Sequence, residues 1–337
     1  MFDRVLLTGI SGFLGGHIGL ELLNAGYTVR GSVRNLSKAD KVRATLSAAG
    51  ADVSRLEFVV LDLLDDAGWA ASTTDCRYLI HSASPFVLRT PQDEMALIRP
   101  AVSGTRRAIM AAVAANIERV VLTSSIAAIQ YGNAGDDARL SEADWTSPSS
   151  PQTSAYARSK TLAEQEAWAL MTAAGRRADL AVINPGVILG PLLDDDVGTS
   201  AMVIQRLLDG RLPGVPKIFL SVVDVRDVAA LHVKALTDAD AGGQRCIGVA
   251  ETLSMRDIGQ LLAPAFPGRR VPSWELPDWL VRLAGMVDRD IGDNLPELGH
   301  IRRFQSQRAE KLLGRPLIPA GPAAIATGQS LDHHGLL

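Results

Sequence analysis

The chain has 337 residues, 47% hydrophobic and 21% charged, with a formal net charge of −3. Such a chain packs as one large α/β unit or a larger plus a smaller one, and the charge argues against a nucleic-acid binder held by a basic surface. With only Cys76 and Cys246 present, no signal-peptide order at the start and no apolar run of membrane-span length, a cytoplasmic protein without a disulfide scaffold is expected.

Residues 4–8 read as a buried strand bounded by glycine. The strand runs into Thr8-Gly9-Ile10-Ser11-Gly12-Phe13-Leu14-Gly15, a G-x-x-G-x-x-G spacing followed by helix-type periodicity. Strand, glycine turn and helix form a phosphate cradle. The glycines allow close backbone approach, and the helix start offers free N–H groups and a favourable dipole. A second strand covers residues 27–34. An NAD site would place an acidic residue near its end for the ribose 2′-hydroxyl. None is present; Arg30, Arg34, Lys38 and Lys41 stand there instead. A planar guanidinium suits a 2′-phosphate, so the expected cofactor is NADP(H).

Residues 56–61 form a third predicted strand, ending in Asp62 and Leu63, where a nucleotide-binding sheet can contact adenine. A fourth strand, 78–81, is followed by the small residues Ser82, Ala83 and Ser84, which let the chain pass close to a dinucleotide. Residues 94–116 read as a long helix with Pro100 near its start or kinking it. A fifth strand, 119–123, ends at Thr123 and leads into Ser124-Ser125. Residues 127–153 are rich in glycine, proline and polar residues and are expected to form a loop over the site. A sixth strand, 180–184, ends in Pro185-Gly186. This alternation predicts a Rossmann-type doubly wound parallel α/β sheet, with ligands at the carboxyl ends of its strands.

Ser125 therefore stands where a reacting group would be held, and its hydroxyl can donate to a substrate carbonyl. Tyr156 and Lys160 follow in Ser154-Ala-Tyr-Ala-Arg-Ser-Lys, which opens a run of strong helix formers. Four residues apart, they share one helix face. A phenol beside a fixed ammonium is a usable general acid/base at neutral pH.

From residue 190 the rhythm weakens. Short helices are predicted at about 201–209, 225–236, 255–262, 278–287 and 307–313, with one more strand at 245–250. Residues 319–329 are rich in Ala, Gly and Pro and are expected to be poorly ordered. The division expected is an NADP-binding domain over residues 1–189, with 217–238 returning to it, and a smaller mixed α/β substrate lobe over 190–330. Phe86, Ile126, Tyr131, Leu192 and Met202 are the candidate pocket residues. They favour an aromatic or bulky hydrophobic substrate. The six histidines show no ligand spacing with cysteines or carboxylates, so no metal is expected.

With these motifs in hand, the chain resembles the extended short-chain dehydrogenase/reductases. Within them it is most similar to the dihydroflavonol 4-reductase and cinnamoyl-CoA reductase branch, with its microbial carbonyl reductases. The branch-like stretches are 27–34, 81–86, 159–168 and 219–228. The resemblance implies that Ser125, rather than Ser124, acts with Tyr156 and Lys160 as the catalytic triad. It implies that Gly9, Gly12 and Gly15 hold the pyrophosphate, with Thr8, Phe13 and Leu14 beside them, and that Arg34 with Lys41 holds the 2′-phosphate. Asp62 and Leu63 would flank the adenine. Tyr156 and Lys160 would also touch the nicotinamide ribose, with Pro185 and Val187 by the nicotinamide. The activity implied is NADPH-dependent reduction of a ketone or aldehyde. Two alternatives stand beside it. A sugar-nucleotide epimerase or dehydratase would carry an acidic residue after the second strand, and a dehydratase an acidic pair where this chain has Ser124-Ser125. A non-catalytic NADP-sensing regulator can lose the tyrosine, and here the triad is complete. The oligomeric state is left open, a homodimer being one option.

Overall fold

A computed structural model of the chain describes residues 3–85, 93–132, 139–287 and 289–337. Phe86 lies outside the described residues. The first half runs β1 (Arg4–Thr8), α1 (Phe13–Asn24), β2 (Thr28–Val33), α2 (Ala39–Ala48), β3 (Leu56–Val60), α3 (Trp69–Ser72), β4 (Tyr78–His81), α4 (Met95–Ala114) and β5 (Arg119–Thr123). It continues through β6 (Arg139–Leu140), α5 (Ala155–Ala173), β7 (Leu180–Pro185), β8 (Val187–Leu189), α6 (Thr199–Leu208), β9 (Phe219–Asp224), α7 (Val225–Ala235) and β10 (Arg245–Gly248). The last part holds β11 (Glu251–Ser254), α8 (Met255–Leu262), α9 (Asp278–Gly285), α10 (Arg289–Asn294), β12 (Arg303–Phe304), α11 (Gln307–Leu313) and α12 (Ala320–His333).

Seven parallel strands form the central sheet in the order β10-β7-β5-β4-β1-β2-β3. They are the seven stretches whose apolar runs read as strands. Period-2 alternation explains the layers. Val5 and Leu7 of β1 join the cluster with Ile18, Leu22 and Leu231, while Leu6 joins Leu79, Ile109 and Trp168 on the other face. Helices cover both faces, so the inner strands are apolar throughout rather than alternating with polar residues. Strand order reverses between β1 and β4, and a doubly wound sheet opens its ligand crevice at such a point.

A second sheet, β11-β9-β8, packs with α6, α8 and α12 around Ile204, Leu207, Val222, Ile258 and Leu262. β6 pairs with β12 in a two-stranded piece, so the segment over the site holds a short strand as well as loop. Helix α7 packs on α1, with Val228 and Leu231 in the same cluster as Val5 and Ile18. Pro100 sits inside α4, in its second turn.

Residues 319–329 correct the expectation of a poorly ordered tail. They open α12, with Ala320, Ala323, Ala324 and Thr327 buried. The Ala/Gly composition that suggested disorder serves close packing: a Cβ on Gly328 would stand 2.6 Å from the Phe266 ring. Pro322 falls in the first turn, where the missing N–H costs nothing. Among the described residues no helix is long and apolar enough to cross a membrane.

Candidate active site

The cradle is built where β1 ends. Gly9 takes φ +77°, and a Cβ on Gly15 would fall 2.0 Å from the Gly9 carbonyl oxygen. Only glycine at both places lets the turn fold back on α1. Gly12 is the N-cap of α1 and supplies no side-chain cap. The amides of Phe13, Leu14 and Gly15 thus start the helix with no side-chain acceptor and bare backbone in front of them. That arrangement fits a pyrophosphate.

The neighbouring strand ends are tied to the turn. Thr8 Oγ1 accepts from the Ala83 N–H at 3.1 Å and lies 2.8 Å from His81 Nδ1. Burial, with the nearby Lys160 charge, pushes the His81 ring down to about 3, so it is neutral in the working range. Ser32 Oγ accepts from the Gly9 N–H at 3.2 Å. Ser82, Ala83 and Ser84 are half-buried.

The basic residues after β2 have separate fates. Arg30 is not available to a phosphate: it donates to Glu57 at 2.7 Å and to the carbonyls of Ser72 and Thr74. The strand's alternation turns it into the protein. Lys41 Nζ lies 2.6 Å from Asp195 and 3.4 Å from Asp194. Arg34 is exposed, and no partner is recorded for it among the described residues. Asp62 is exposed, with Oδ1 accepting from the Leu64 N–H at 2.8 Å. Leu63 packs on α4, 2.5 Å from where a Cβ on Gly104 would stand.

Helix α5 is capped by Ser154, whose hydroxyl accepts from the Ala157 N–H at 3.2 Å. Tyr156, Lys160 and Glu164 then share one face at i, i+4, i+8. Exposure falls along that stripe: Tyr156 is 46% exposed, Lys160 half-buried and Glu164 fully buried. Lys160 Nζ lies 6.0 Å from the Tyr156 ring centroid. A crevice at the sheet's carboxyl edge is lined by His81, Ala83, Ser84, Thr123, Lys160 and Glu164.

Glu164 joins α5 to the strand ends. Its carboxylate accepts from Ser124 Oγ at 2.6 Å, Asn184 Nδ2 at 2.9 Å, Trp168 Nε1 at 3.2 Å and Arg245 Nε at 2.6 Å. Asn184 Nδ2 also donates to the Ser125 carbonyl at 3.2 Å. Arg245 donates to the carbonyls of Glu142 and Asp144 and stacks 3.9 Å over Trp145. Sequence reasoning gave this network no role. The available signal was a carboxylate four residues after Lys160; apart from Trp168 on the next turn, its partners lie 20 to 81 positions away.

The two serines after β5 differ in what their hydroxyls do. Ser124 gives its proton to Glu164. Ser125 Oγ accepts from the Ala127 N–H at 3.1 Å, and no acceptor for its own proton is recorded among the described residues. Just before them, Thr123 Oγ1 lies 2.7 Å from His232 Nε2, while His232 Nδ1 lies 2.7 Å from the Val228 carbonyl. A carbonyl only accepts, so Nδ1 carries the proton and the threonine hydroxyl donates to Nε2.

The remaining candidates are spread out. Ile126 is buried with Ile129, Leu140, Ile247 and Val249. Tyr131 lies under the Arg302 guanidinium, 4.8 Å from ring centroid to carbon, and burial raises its phenol. Leu192 lines a crevice with Gly12 and Phe13 beside the glycine turn. Met202 is half-buried on α6. Pro185 closes β7, and half-buried Val187 opens β8.

Cinnamoyl-CoA reductase CAD2 of Medicago truncatula is 32% identical over 80% of this chain and 82% of its own length. Ketoreductase azaE of Aspergillus niger is 32% identical over 92% of both. The structure of yeast methylglyoxal/isovaleraldehyde reductase Gre2, complexed with NADPH, matches with a TM-score of 0.82 at 25% identity, covering 99% of this chain and 100% of its own. The NAD dependent epimerase/dehydratase family matches residues 5–249, and the chain belongs to that family.

Proposed function

We propose that the protein is an NADPH-dependent carbonyl reductase acting on a ketone or aldehyde, with an aromatic or bulky hydrophobic substrate favoured. The observation that carries this reading is the junction of β5 and α5. Ser124 and Asn184 both bond to Glu164, which locks the Ser125 strand end against the helix face of Tyr156 and Lys160. The glycine turn and the α1 N-terminus stand at the same edge of the sheet. Reductases similar to this chain at 32% identity, and NADPH in the Gre2 structure, support the same activity.

When bound, the reduced nicotinamide supplies a hydride to the carbonyl carbon. The chain's own residues do the rest. The backbone N–H groups at the start of α1 hold the pyrophosphate, and Arg34 with Lys41 holds the 2′-phosphate. Ser125 donates its free O–H to the carbonyl oxygen and orients it. Tyr156 gives the same oxygen a proton as charge develops there. Lys160 holds the ribose hydroxyls and keeps a positive charge beside the phenol. Residues 1–189, with 217–238, form the cofactor half in this reading, and 190–330 cover the substrate.

The test is a panel of aromatic and aliphatic ketones and aldehydes, offered with NADPH or NADH and followed by loss of reduced-cofactor absorbance and chiral analysis of the alcohol. NADPH consumption matched by alcohol formation is expected. Cofactor binding without turnover across the panel would instead favour a cofactor sensor. NAD that stays bound through purification would favour an epimerase.

A further inference from the structure

The segment after β8 crosses the glycine turn as a strap. At one end, both the N–H and the carbonyl of Gly190 are bonded to Thr327 Oγ1, at 2.7 and 3.0 Å. Next, the Pro191 carbonyl accepts from His17 Nε2 at 2.9 Å, which fixes the strap to α1. The strap then lines a crevice with Ser11, Gly12 and Phe13, and ends at α2 on Lys41. Lys41 therefore stands between two carboxylates of the strap, Asp194 and Asp195. The pairing lowers the Asp195 carboxyl, first through the Lys41 hydrogen bond.

We propose that Asp194 and Asp195 compete with the cofactor's 2′-phosphate for the Lys41 ammonium, and so set how strongly this chain prefers a phosphorylated dinucleotide. The inference rests on the reading of Lys41 as a phosphate ligand. An ammonium is a compact point charge with three donors. Two carboxylates already outnumber it. A phosphate dianion arriving there either takes the ammonium from the strap or meets two like charges with too little cation to offset them. NADH presents only a neutral 2′-hydroxyl there and leaves the pairing untouched. Arg34, exposed and without a recorded partner among the described residues, carries no such competition. The two basic residues thus contribute differently: Arg34 attracts the phosphate, and the aspartates discount what Lys41 adds.

The test is direct binding of NADPH and NADH, by calorimetry on the whole protein. The variants are Lys41→Met, the pair Asp194→Asn with Asp195→Asn, and the three changes together. All three positions are at the surface, and circular dichroism checks the fold of each variant. The expected result is about two- to five-fold tighter NADPH binding by the asparagine pair, the scale of an exposed ion pair released, with NADH binding unchanged. Lys41→Met should weaken NADPH binding and abolish the gain from the asparagines. Unchanged or weaker NADPH binding by the asparagine pair overturns the proposal. So does an equal gain for NADH, or a gain that persists without Lys41. If Lys41→Met alone leaves NADPH binding unchanged, the phosphate role of Lys41 fails and takes the competition with it.

Discussion

Glu164 and Arg245 meet at 2.6 Å with side chains 0% and 6% exposed, one on α5 and the other on β10. The pair ties the helix carrying Tyr156 and Lys160 to the far edge strand and to the loop around Trp145. Truncating Glu164 to alanine would strand a buried guanidinium without its counter-charge, at a cost of about 3–5 kcal/mol. The urea midpoint of Glu164→Ala should fall accordingly. Replacing both partners, Glu164→Leu with Arg245→Met, should recover part of the loss, because no charge is then left buried. An Ala variant that unfolds at the wild-type urea concentration would show that the pair contributes nothing to the fold.

The neighbouring serines separate structure from chemistry. Ser124→Ala removes one bond to Glu164 and should cost about 1 kcal/mol of stability. Ser125→Ala removes a hydroxyl whose proton is unused in the fold. It should lower the melting temperature only modestly, through the lost acceptor for the Ala127 N–H, and lower kcat/KM for a carbonyl substrate by about 100-fold. The reverse pattern, a large kinetic effect from Ser124 and none from Ser125, would mean that the wrong serine has been assigned.

Tyr156→Phe deletes only the phenolic oxygen of a side chain that is 46% exposed. NADPH affinity and stability should stay close to wild type. The kcat should fall by about 10²–10⁴, the range for a lost general acid. Steady-state rates together with a separate NADPH titration make the comparison; turnover at the wild-type rate would remove the tyrosine from the mechanism.

Arg34→Gln tests the cofactor half. A guanidinium donating to a phosphate is worth about 1.5–3 kcal/mol, or roughly 10- to 150-fold in Kd. NADPH binding should weaken by that factor with NADH binding unaffected. An equal effect on both cofactors would place Arg34 away from the 2′-phosphate.

The sheet was legible because its seven strands are short, largely apolar runs, and β1, β4, β5 and β7 are followed by Gly9, Ser82, Ser124 and Gly186. Those local rules need no knowledge of partners. The glycine turn was legible for the same reason: the φ of Gly9 and the closeness of Gly15 to it are consequences of a few consecutive residues. What escaped was long-range. Nothing near Arg30 in sequence says that Glu57 and the Ser72 and Thr74 carbonyls will consume it, and nothing near Lys41 announces Asp195, 154 positions on. Helix α12 escaped for a different reason. A stretch rich in alanine and glycine carries little local sign of order, whereas in the fold its small residues permit close approach to Phe266 and Leu208.

His232 gives a pH dependence whose sign is fixed by its surroundings. The ring is buried, donates from Nδ1 to Val228 and accepts at Nε2 from Thr123. Burial lowers it from an ordinary 6.5 to about 4, with the Val228 bond opposing only in part. Below about pH 6.5 the unfolded chain takes up a proton that the native ring refuses. The stability held by the neutral ring is therefore complete above that pH and is lost as pH falls toward 4. Each unit of the shift corresponds to about 1.4 kcal/mol, so a few kcal/mol are at stake. His81, pushed down to about 3 by burial and by Lys160, acts in the same direction and over a wider range. Melting temperatures taken between pH 7 and pH 4.5 should fall for the wild type. They should fall less steeply for His232→Gln, which keeps a side chain able to bond Thr123 but has nothing to titrate. The variant should start lower at pH 7 and converge on the wild type in acid. Parallel curves would mean that the proton is taken up elsewhere, and that the His232 ring is not what makes the end of β5 sensitive to acid.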